Sequence, residues 1–413
     1  MRKKAIFTIC AKNYLAQALT LRESIFIHNK DVDFFIFLSD KKTDDVEDID
    51  LVELDNNWMP NWKSLAFKYN VIEFSTSIKP FCFYKLFKEG YDKVIYLDPD
   101  IYVVNPLNEI FDYLDKYAMV ITPHYNHIET NYTGSVPEEE LLFVGIYNLG
   151  FGAIRKCDIG LQILEWWKNR LYDKCYADKE DSLHVDQKWI DFLPGFFPND
   201  ILISHHPGIN IAIWNLHERE LIIEDNKYLV LDLRSNLKYP LLFFHFSGFD
   251  PYKRNVVNRR HSRFNTDVFP SYIPIIDVYA KLEYKNGYDK YSKLKYSFNK
   301  FDNGASILPL HRRLYRSYNN TKMDDVFSES SVFYKLLKRN RLILQIENQD
   351  YNLGISQNVR SKVNKVDNIF NFLSRLFIFF LGIKRYYFLL KYLHSKTRLE
   401  NQYFLLGKTD NRL

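Results

Sequence analysis

The sequence predicts an α/β protein whose sheet is covered by helices, followed by a mainly helical C-terminal region. Apolar runs typical of buried strands alternate with segments of helical periodicity: KAIFTIC precedes the helical segment YLAQALTLRESIFIH, and the short apolar run DFFIFLSD follows. Alternation of this kind favours a parallel-type sheet with helices on both faces. In such sheets ligands bind beyond the carboxyl ends of the strands, so polar residues at those ends are the first candidates for a functional site.

The remaining elements of the first two thirds of the chain follow the same pattern. Further strands are predicted at Lys93 to Leu97 and in the runs AMVITPH, GIYNLGFGAIR and LLFFHFSG, and a helix with a wide apolar face is predicted over DIGLQILEWWKNRLYDKC. From about residue 255 onward, stretches rich in Lys, Tyr and Asn replace the strand signals. We therefore predict an α/β domain over residues 1–265 and a helical extension over residues 266–413.

The composition indicates a globular protein with reduced thiols. Of the 413 residues 46% are hydrophobic, which is enough to bury a full core. The four cysteines have no metal-ligand spacing, so we expect free thiols in the cytoplasm and no zinc site. The N-terminal segment lacks a signal-peptide core, and a net charge of +5 is too small to indicate nucleic-acid binding.

The basic character of the chain is concentrated near its end. Residues 361–413 contain ten Lys or Arg against three Asp or Glu. Within them the segment 369–398 is strongly apolar, but Arg375 and Lys384 interrupt it, and its longest apolar stretch is too short to span a bilayer. The segment either lies in the interface of an anionic membrane, or packs on the α/β domain or in a dimer, and the sequence is compatible with each of these.

Two carboxylates stand at the end of a predicted strand, in VIYLDPDIYV. Asp98 and Asp100 follow the strand Lys93 to Leu97 directly, and an ionised carboxylate that is buried without a partner loses several kcal/mol of hydration. The pair must therefore reach water, hydrogen-bond donors or a cation, and hard oxygen ligands suit Mg²⁺ or Mn²⁺. Taken alone, an Asp-x-Asp is common and equally fits a surface or capping role.

His245 is the candidate that could complete a metal site. It stands at the end of the predicted strand in FFHFSGFDP, and Gly248 three residues later allows a ligand to approach. A single histidine is more commonly a core residue bonded to a backbone carbonyl. Combined with the two aspartates, however, the imidazole would leave open metal positions for two phosphate oxygens.

Other polar residues fit a ligand that contains hydroxyls and phosphates. Asp186 and Gln187, in LHVDQKW, suit a hydroxyl-rich ligand, although Asp186 could instead cap a helix that begins near Gln187. Lys79 and Lys85 could meet a diphosphate or remain solvated. Tyr14, at the first turn from strand to helix, could stack on a nucleobase or be a core aromatic residue.

Five stretches taken in order resemble a known family. FTICAKNYLAQALTLRESI, KVIYLDPDIYV, YNLGFGAI, VDQKWIDFLP and FHFSG together resemble the GT-A fold glycosyltransferases, most of all the retaining family 8 type, across residues 4 to 265. The stretches NIAIWNLHER and HFSGFDP are similar to a bacterial subgroup found with surface-polysaccharide genes. The resemblance implies a GT-A domain with a mixed sheet flanked by helices.

The resemblance also implies roles for individual residues. Asp98, Asp100 and His245 would hold Mn²⁺ or Mg²⁺, while Asp186 would lie near sugar hydroxyls and Gln187 near the anomeric carbon. The residues that would bind the donor are Asn13, Tyr14, Lys79, Lys85, Asp98, Asn148, Gly150, Gly248 and Lys253.

Two motifs depart from the family pattern. Cys10, Ala11 and Lys12 stand where an acidic residue that reads the base is expected, so uridine is not implied. FDPYKR replaces the KPW expected after the HxxG, so the lysine on the diphosphate would be Lys253, Lys79 or Lys85.

The predicted activity is a metal-dependent hexosyl transfer from a nucleotide-diphosphate sugar to a hydroxyl of a glycan or lipid-linked acceptor, with retention of configuration, in bacterial surface-polysaccharide or glycoconjugate synthesis. The expected location is the cytoplasm, with or without peripheral contact to the inner face of the cell membrane. A phosphatase of the haloacid-dehalogenase type fits less well, because Tyr102 stands where that family has Thr or Val. A non-catalytic subunit that binds nucleotide sugars or glycans remains the alternative.

Overall fold

The structure is a computed structural model that describes residues 3–256, 258, 266–318, 324–343 and 357–407, with backbone alone for 357–368. The chain forms two compact units, Met1–Phe298 and Asn299–Leu413. The first unit contains a central sheet, three smaller sheets and surrounding helices. The second unit is helical in its described part.

The strands of the first unit are β1 (Lys3–Cys10), β2 (Asp33–Leu38), β3 (Tyr91–Leu97), β4 (Ile101–Val103), β5 (Met119–Ile121), β6 (Phe151–Arg155), β7 (Ala177–Asp178), β8 (Leu183–His184), β9 (Ile201–Ile203), β10 (Arg219–Glu224), β11 (Lys227–Asp232), β12 (Leu237–Pro240) and β13 (Phe243–His245). Its helices are α1 (Leu15–His28), α2 (Trp62–Lys68), α3 (Val71–Ser77), α4 (Lys79–Lys88), α5 (Asn108–Lys116), α6 (Glu138–Val144), α7 (Asp158–Lys174), α8 (Gln187–Ile190), α9 (Leu193–Phe196), α10 (Ile273–Lys285) and α11 (Tyr288–Tyr291).

The central sheet is mixed. Its six strands have the order β2, β1, β3, β6, β5, β9. Strands β2, β1 and β3 are mutually parallel, β6 runs antiparallel to both of its neighbours, and β5 pairs parallel with β9. The predicted fold class, a mixed sheet flanked by helices with a helical C-terminal region, is confirmed. The parallel-type pattern expected from the alternation of elements is broken only at β6 within this sheet.

The sheet's central strands are buried because helices cover them. Ile6 and Phe7 of β1 and Val94 and Ile95 of β3 are fully buried, as expected where both faces of a sheet are packed. The predicted run GIYNLGFGAIR contributes a strand only from Phe151 onward. Its first half is a loop that enters the sheet at the edge where β3 ends, because the two strands run in opposite directions.

A small two-stranded sheet brings two distant parts of the chain together. Strand β4 follows the Asp-x-Asp and pairs antiparallel with β13, so that His245 lies opposite Ile101. The backbone N–H of Phe246 donates to the carbonyl of Asp100 at 2.8 Å. The end of β13 is thereby fixed beside the turn that carries the two aspartates.

Helices α10 and α11 belong to the first unit, which extends to Phe298. The ring of Tyr279 on α10 stacks on Phe246, with centroids 3.9 Å apart. This contact joins α10 to the residue that follows His245.

The second unit contains α12 (Pro309–Ser317), α13 (Val332–Arg339) and α14 (Gln357–Thr397). Gly382 breaks α14 with a positive φ of 79°, a conformation that glycine adopts without steric cost. Apolar side chains on both sides of the break are exposed, with Phe379 82% and Phe388 72% exposed. Within the described residues, no helix combines the length and the apolar character needed to cross a bilayer.

Candidate metal centre

Asp98, Asp100 and His245 meet at the carboxyl end of β3. The Nε2 atom of His245 lies 3.2 Å from Oδ1 of Asp100 and 3.6 Å from Oδ2 of Asp98. One ligand atom from each side chain falls within 4.8 Å of the other two. The structure thus brings these three residues together as two carboxylate oxygens and an imidazole nitrogen, which is a donor set that suits a hard divalent cation.

Backbone hydrogen bonds hold the aspartates in a tight turn. The N–H of Asp98 donates to the carbonyl of Gly150 at 2.7 Å, and the N–H of Ile101 donates to the carbonyl of Asp98 at 3.1 Å. The carboxylates remain accessible, with side chains 29% exposed for Asp98 and 16% for Asp100. A buried strand therefore ends in two carboxylates that face outward beside a buried imidazole.

The hydroxyl of Tyr96 donates a hydrogen bond to Oδ1 of Asp98. Burial and the charge of Asp98 raise the pKa of Tyr96, so the phenol keeps its proton. One oxygen of Asp98 is thus oriented by the phenol while the other faces His245.

Asn210 fixes the orientation of His245. Its amide nitrogen donates to Oγ1 of Thr122 and to Oδ1 of Asn148, both at 3.0 Å, so its Oδ1 is the acceptor 3.2 Å from Nδ1 of His245. A neutral His245 therefore carries its proton on Nδ1 and turns the lone pair of Nε2 toward the aspartates, as a metal-binding histidine requires. Burial favours the neutral ring, but Asp100 and Asp98 outweigh it and raise the pKa of His245.

Gly150 allows the imidazole to approach the backbone. A Cβ atom at this position would lie 2.3 Å from Cε1 and 2.7 Å from Nδ1 of His245, closer than real side-chain contacts allow. A larger residue would therefore push the ring away from Asn210 and from the aspartates.

We expect Gly150→Ala to lower the affinity for Mn²⁺ about 10- to 100-fold, the usual effect of disturbing the residues that orient a ligand. Titration of the full chain with Mn²⁺, followed by electron paramagnetic resonance, measures this. Gly152→Ala is the matched control in the adjoining strand, because a Cβ there meets nothing within 4 Å. Equal affinities for the two variants would contradict the proposed packing of His245.

Lys79 and Asp186 form a buried ion pair. Nζ of Lys79 lies 2.8 Å from Oδ2 of Asp186, and both side chains are 2% exposed. Burial raises the pKa of Asp186 and the nearby lysine opposes that shift. Although Asp186 stands before α8, its side chain does not cap that helix. The ammonium of Lys79 pairs with Asp186 in this structure, and its predicted contact with a diphosphate stays a prediction.

The same lysine and Gln187 hold the backbone of one residue, Leu149, beside the candidate metal centre. Nζ of Lys79 donates to the carbonyl of Leu149 at 2.8 Å, and the N–H of Leu149 donates to Oε1 of Gln187 at 2.9 Å. The amide nitrogen of Gln187 donates to the carbonyl of Val144 at 2.9 Å. Asp186 and Gln187 thus help to position the loop before β6, and their roles at a reacting sugar stay predictions.

Asn148 belongs to the same loop and is 8% exposed. Its Oδ1 accepts from the N–H of Gly150 at 3.1 Å as well as from Asn210, and its Nδ2 lies 3.4 Å from Nε2 of His124. Much of its hydrogen-bonding capacity is used inside the protein, and its predicted contact with a donor sugar stays a prediction.

The other predicted donor-binding residues lie in turns and on the surface. Asn13 and Tyr14 form a half-buried 3₁₀ turn after β1. Lys85 pairs with Glu89 on α4 at 2.5 Å. Gly248 has a positive φ of 69° beside the amide of Asn258, and Lys253 is exposed. Binding of a nucleotide by these residues stays a prediction.

Four residues at or near the centre escaped the sequence analysis: Tyr96, His124, Asn210 and Glu283. Asn210 lies in NIAIWNLHER, a stretch whose sequence indicates only a similarity to the bacterial subgroup. Its φ is positive, at 56°, a conformation that asparagine tolerates. Burial, followed by the charge of Asp100, raises the pKa of Glu283 on α10 to about 8. Glu283 lies beyond residue 265, where the sequence predicted only a helical extension.

Comparison with known proteins gives two relatives in Bacillus subtilis (strain 168). The chain is 26% identical over 275 residues to the uncharacterized protein YfnF, an alignment that covers 64% of this chain and 88% of that protein. It is 20% identical over 254 residues to the uncharacterized protein YfnD, covering 59% of this chain and 76% of that protein. No protein-family model matches the chain.

Among solved structures, the galactosyltransferase LgtC in complex with donor and acceptor sugar analogs matches with a TM-score of 0.39 and 16% identity, covering 68% of this chain and 95% of LgtC. The apo glycosyltransferase GlyE of Streptococcus pneumoniae TIGR4 matches with a TM-score of 0.30 and 18% identity, covering 48% of this chain and 45% of GlyE.

Proposed function

We propose that this protein is a metal-dependent glycosyltransferase of the GT-A type, which moves a sugar from a nucleotide-diphosphate donor to a hydroxyl of a glycan or lipid-linked acceptor with retention of configuration. In keeping with the bacterial subgroup that its motifs resemble, the proposed product is a surface polysaccharide or glycoconjugate. Cytoplasmic synthesis from a soluble donor is part of the same proposal.

The observation that carries the proposal is the convergence of Asp98, Asp100 and His245 at the strand-end edge of an α/β sheet. Their ligand atoms lie close enough together to share one ion, and Asn210 presets the imidazole for binding. Because these are three ligands, a divalent cation would keep positions open for phosphate oxygens of a donor. Bound Mn²⁺ or Mg²⁺ would supply the positive charge that stabilises a departing diphosphate.

The chain's own residues would hold and orient the reactants. Asp98 and Asp100 present accessible carboxylates, and Tyr96 directs one oxygen of Asp98. Lys79 and Gln187 clamp Leu149, which keeps the loop before β6 close to the aspartates. The carboxylates of Asp98 and Asp100 are assigned to the metal and that of Asp186 is paired with Lys79, so none of the three is assigned the role of a covalent nucleophile. We therefore favour attack by the acceptor on the face from which the diphosphate leaves, with a diphosphate oxygen taking the proton.

A panel of sugar nucleotides tests the proposal. The full chain is incubated with Mn²⁺ and each of several uridine, guanosine, thymidine and cytidine diphosphate sugars, and release of the nucleoside diphosphate is measured. We expect release from at least one donor, dependent on Mn²⁺ or Mg²⁺, and an anomeric product signal in nuclear magnetic resonance that matches the donor's configuration. Metal-dependent binding without turnover for every donor would favour the non-catalytic subunit instead, and absence of both would overturn the proposal.

Peripheral membrane contact through α14 is a further part of the proposed function. The described residues of segment 369–398 combine exposed aromatic side chains with the cations Arg375, Lys384 and Arg385 and contain no acidic residue. Apolar side chains that enter the headgroup region beside lysine and arginine bind anionic surfaces. A dimer formed through the same segment is the competing explanation.

We expect the full chain to float with vesicles that contain phosphatidylglycerol and to float poorly with phosphatidylcholine alone. The double variant Phe379→Ser/Phe388→Ser should reduce binding at least about tenfold, because each buried phenyl ring contributes roughly 1.5–3 kcal/mol. Phe26→Ser is the matched control, since Phe26 is 51% exposed on α1. Equal flotation of both variants would contradict membrane binding by α14, and a shift from dimer to monomer would favour the alternative.

A further inference from the structure

A cavity of about 380 Å³ opens in the first unit between the segment His124–Ile128 and the segment that contains α6. Its lining includes His124, Ile128, Glu138, Leu142 and Ile146. This volume lies in the range of cavities that bind small organic ligands. None of the residues predicted from the sequence to bind the donor or the metal lines it.

His124 connects this cavity to the metal centre. Burial lowers the pKa of His124 to about 4, so the ring is neutral. Its Nδ1 lies 3.0 Å from the carbonyl of Ile146 and must carry the proton, which leaves Nε2 to accept from the amide of Asn148. Asn148 contacts Asn210, and Asn210 contacts His245. The floor of the cavity and the metal centre are therefore neighbours in one hydrogen-bond network.

The walls of the cavity are unusually apolar for exposed positions. Ile128 is 94% exposed, Leu142 69% and Ile146 53%. Single exposed aliphatic residues are ordinary, but a group that lines one concave site indicates a ligand with an apolar part.

Polar groups lie beside these aliphatic walls. The hydroxyl of Tyr125 donates to Glu138 at 3.0 Å, and both residues line the cavity. The backbone N–H groups of Asn126 and His127 donate to Glu218, which holds this side of the cavity in place. A ligand that fits such a lining combines hydroxyls with an apolar group.

We propose that this cavity is the acceptor site and that it takes a glycoside whose aglycone is apolar, such as an alkyl chain of a lipid-linked acceptor, bound against Ile128, Leu142 and Ile146. The inference rests on the proposed glycosyl transfer and specifies its acceptor. The reacting hydroxyl lies toward His124 and Asn148, and the apolar group lies toward Ile128.

Paired glycosides test the inference without any donor. Methyl and octyl glycosides of glucose, galactose and N-acetylglucosamine are titrated into the full chain by calorimetry, below the critical micelle concentration. We expect at least one octyl glycoside to bind about tenfold or more tightly than its methyl partner, the factor given by burying roughly 60 Å² of apolar surface. Equal affinities within every pair, or no binding by any glycoside, would overturn the inference.

Three serine variants locate the site. Ile128→Ser and Leu142→Ser should each remove most of the octyl preference, because they take away part of the apolar wall. Leu237→Ser should leave the preference unchanged, since Leu237 is 58% exposed on β12 and does not line the cavity. If Leu237→Ser lowers the octyl preference as much as the other two variants do, the alkyl chain binds nonspecifically and the inference fails.

Assays that need no acceptor separate this inference from the proposed function. Binding of a nucleoside diphosphate with Mn²⁺ and hydrolysis of a sugar nucleotide by water depend on the metal centre, so both are measured on the wild-type chain, and Leu237→Ser, outside the cavity, should retain both within about twofold. A wild-type chain that prefers octyl glycosides but neither binds nor hydrolyses any donor would contradict glycosyl transfer and leave an apolar glycoside site. Donor hydrolysis without an octyl preference would contradict only the acceptor assignment.

Discussion

Replacing Asp100 with alanine is expected to lower kcat/KM for the best sugar-nucleotide donor roughly 1,000-fold and to remove measurable Mn²⁺ binding in the micromolar range. Asp100 contributes the carboxylate closest to Nε2 of His245, at 3.2 Å. Its loss leaves one carboxylate and one imidazole, which hold a hard divalent cation poorly. Several kcal/mol of charge stabilisation at the leaving diphosphate would be lost, at about 1.4 kcal/mol per factor of ten in rate.

Mn²⁺ binding by electron paramagnetic resonance and donor turnover are measured on the same samples. Asp112→Ala serves as the matched control, because Asp112 is an exposed carboxylate on α5. We expect the control to behave as the wild type. If Asp100→Ala kept its Mn²⁺ affinity and its turnover, the metal assignment would be wrong and the proposed function would lose its main support.

The second large effect is expected on stability. Lys79→Met should lower the free energy of unfolding by about 3–5 kcal/mol, because it leaves the carboxylate of Asp186 buried without its counter-charge. It also removes the hydrogen bond from Nζ to the carbonyl of Leu149. Urea denaturation followed by circular dichroism measures the change.

Two controls separate the ion pair from a general effect of the substitution. The double variant Lys79→Met/Asp186→Asn has no unpaired buried charge, so we expect it to recover most of the lost stability. Lys85→Met removes an exposed pair with Glu89 on the same helix and should cost no more than about 0.5 kcal/mol. A double variant as unstable as Lys79→Met would show that the buried charge is not the cause.

Local sequence patterns were sufficient to predict the parts of the fold that are determined within short segments. The continuous apolar runs around β1, β2, β3 and β13 predicted strands, and the structure has strands there. The prediction works because a strand that is buried on both faces needs apolar residues at successive positions. The convergence of Asp98 and His245 was expected because each residue lies at or just beyond the end of an apolar strand.

Contacts between distant residues were harder to predict. Lys79 pairs with Asp186 more than a hundred positions away, and no local periodicity relates the two. Asn210 reaches His245 from a turn with positive φ, and its role depends on the orientation of its amide in three dimensions. The direction of β6 likewise depends on its neighbours in the assembled sheet, and the sequence of the strand alone does not determine it.

The reversed direction of β6 limits where residues can be inserted into the chain without moving the aspartates. Because β6 is antiparallel to β3, the first residues of β6 lie at the edge of the sheet that carries Asp98 and Asp100. Its last residue, Arg155, lies at the opposite edge. Insertions after Arg155 would extend the molecule away from the aspartates, whereas insertions between Asn148 and Phe151 would displace them. We therefore expect related chains to differ in length mainly after Arg155 and to keep the length of the segment from Asn148 to Phe151.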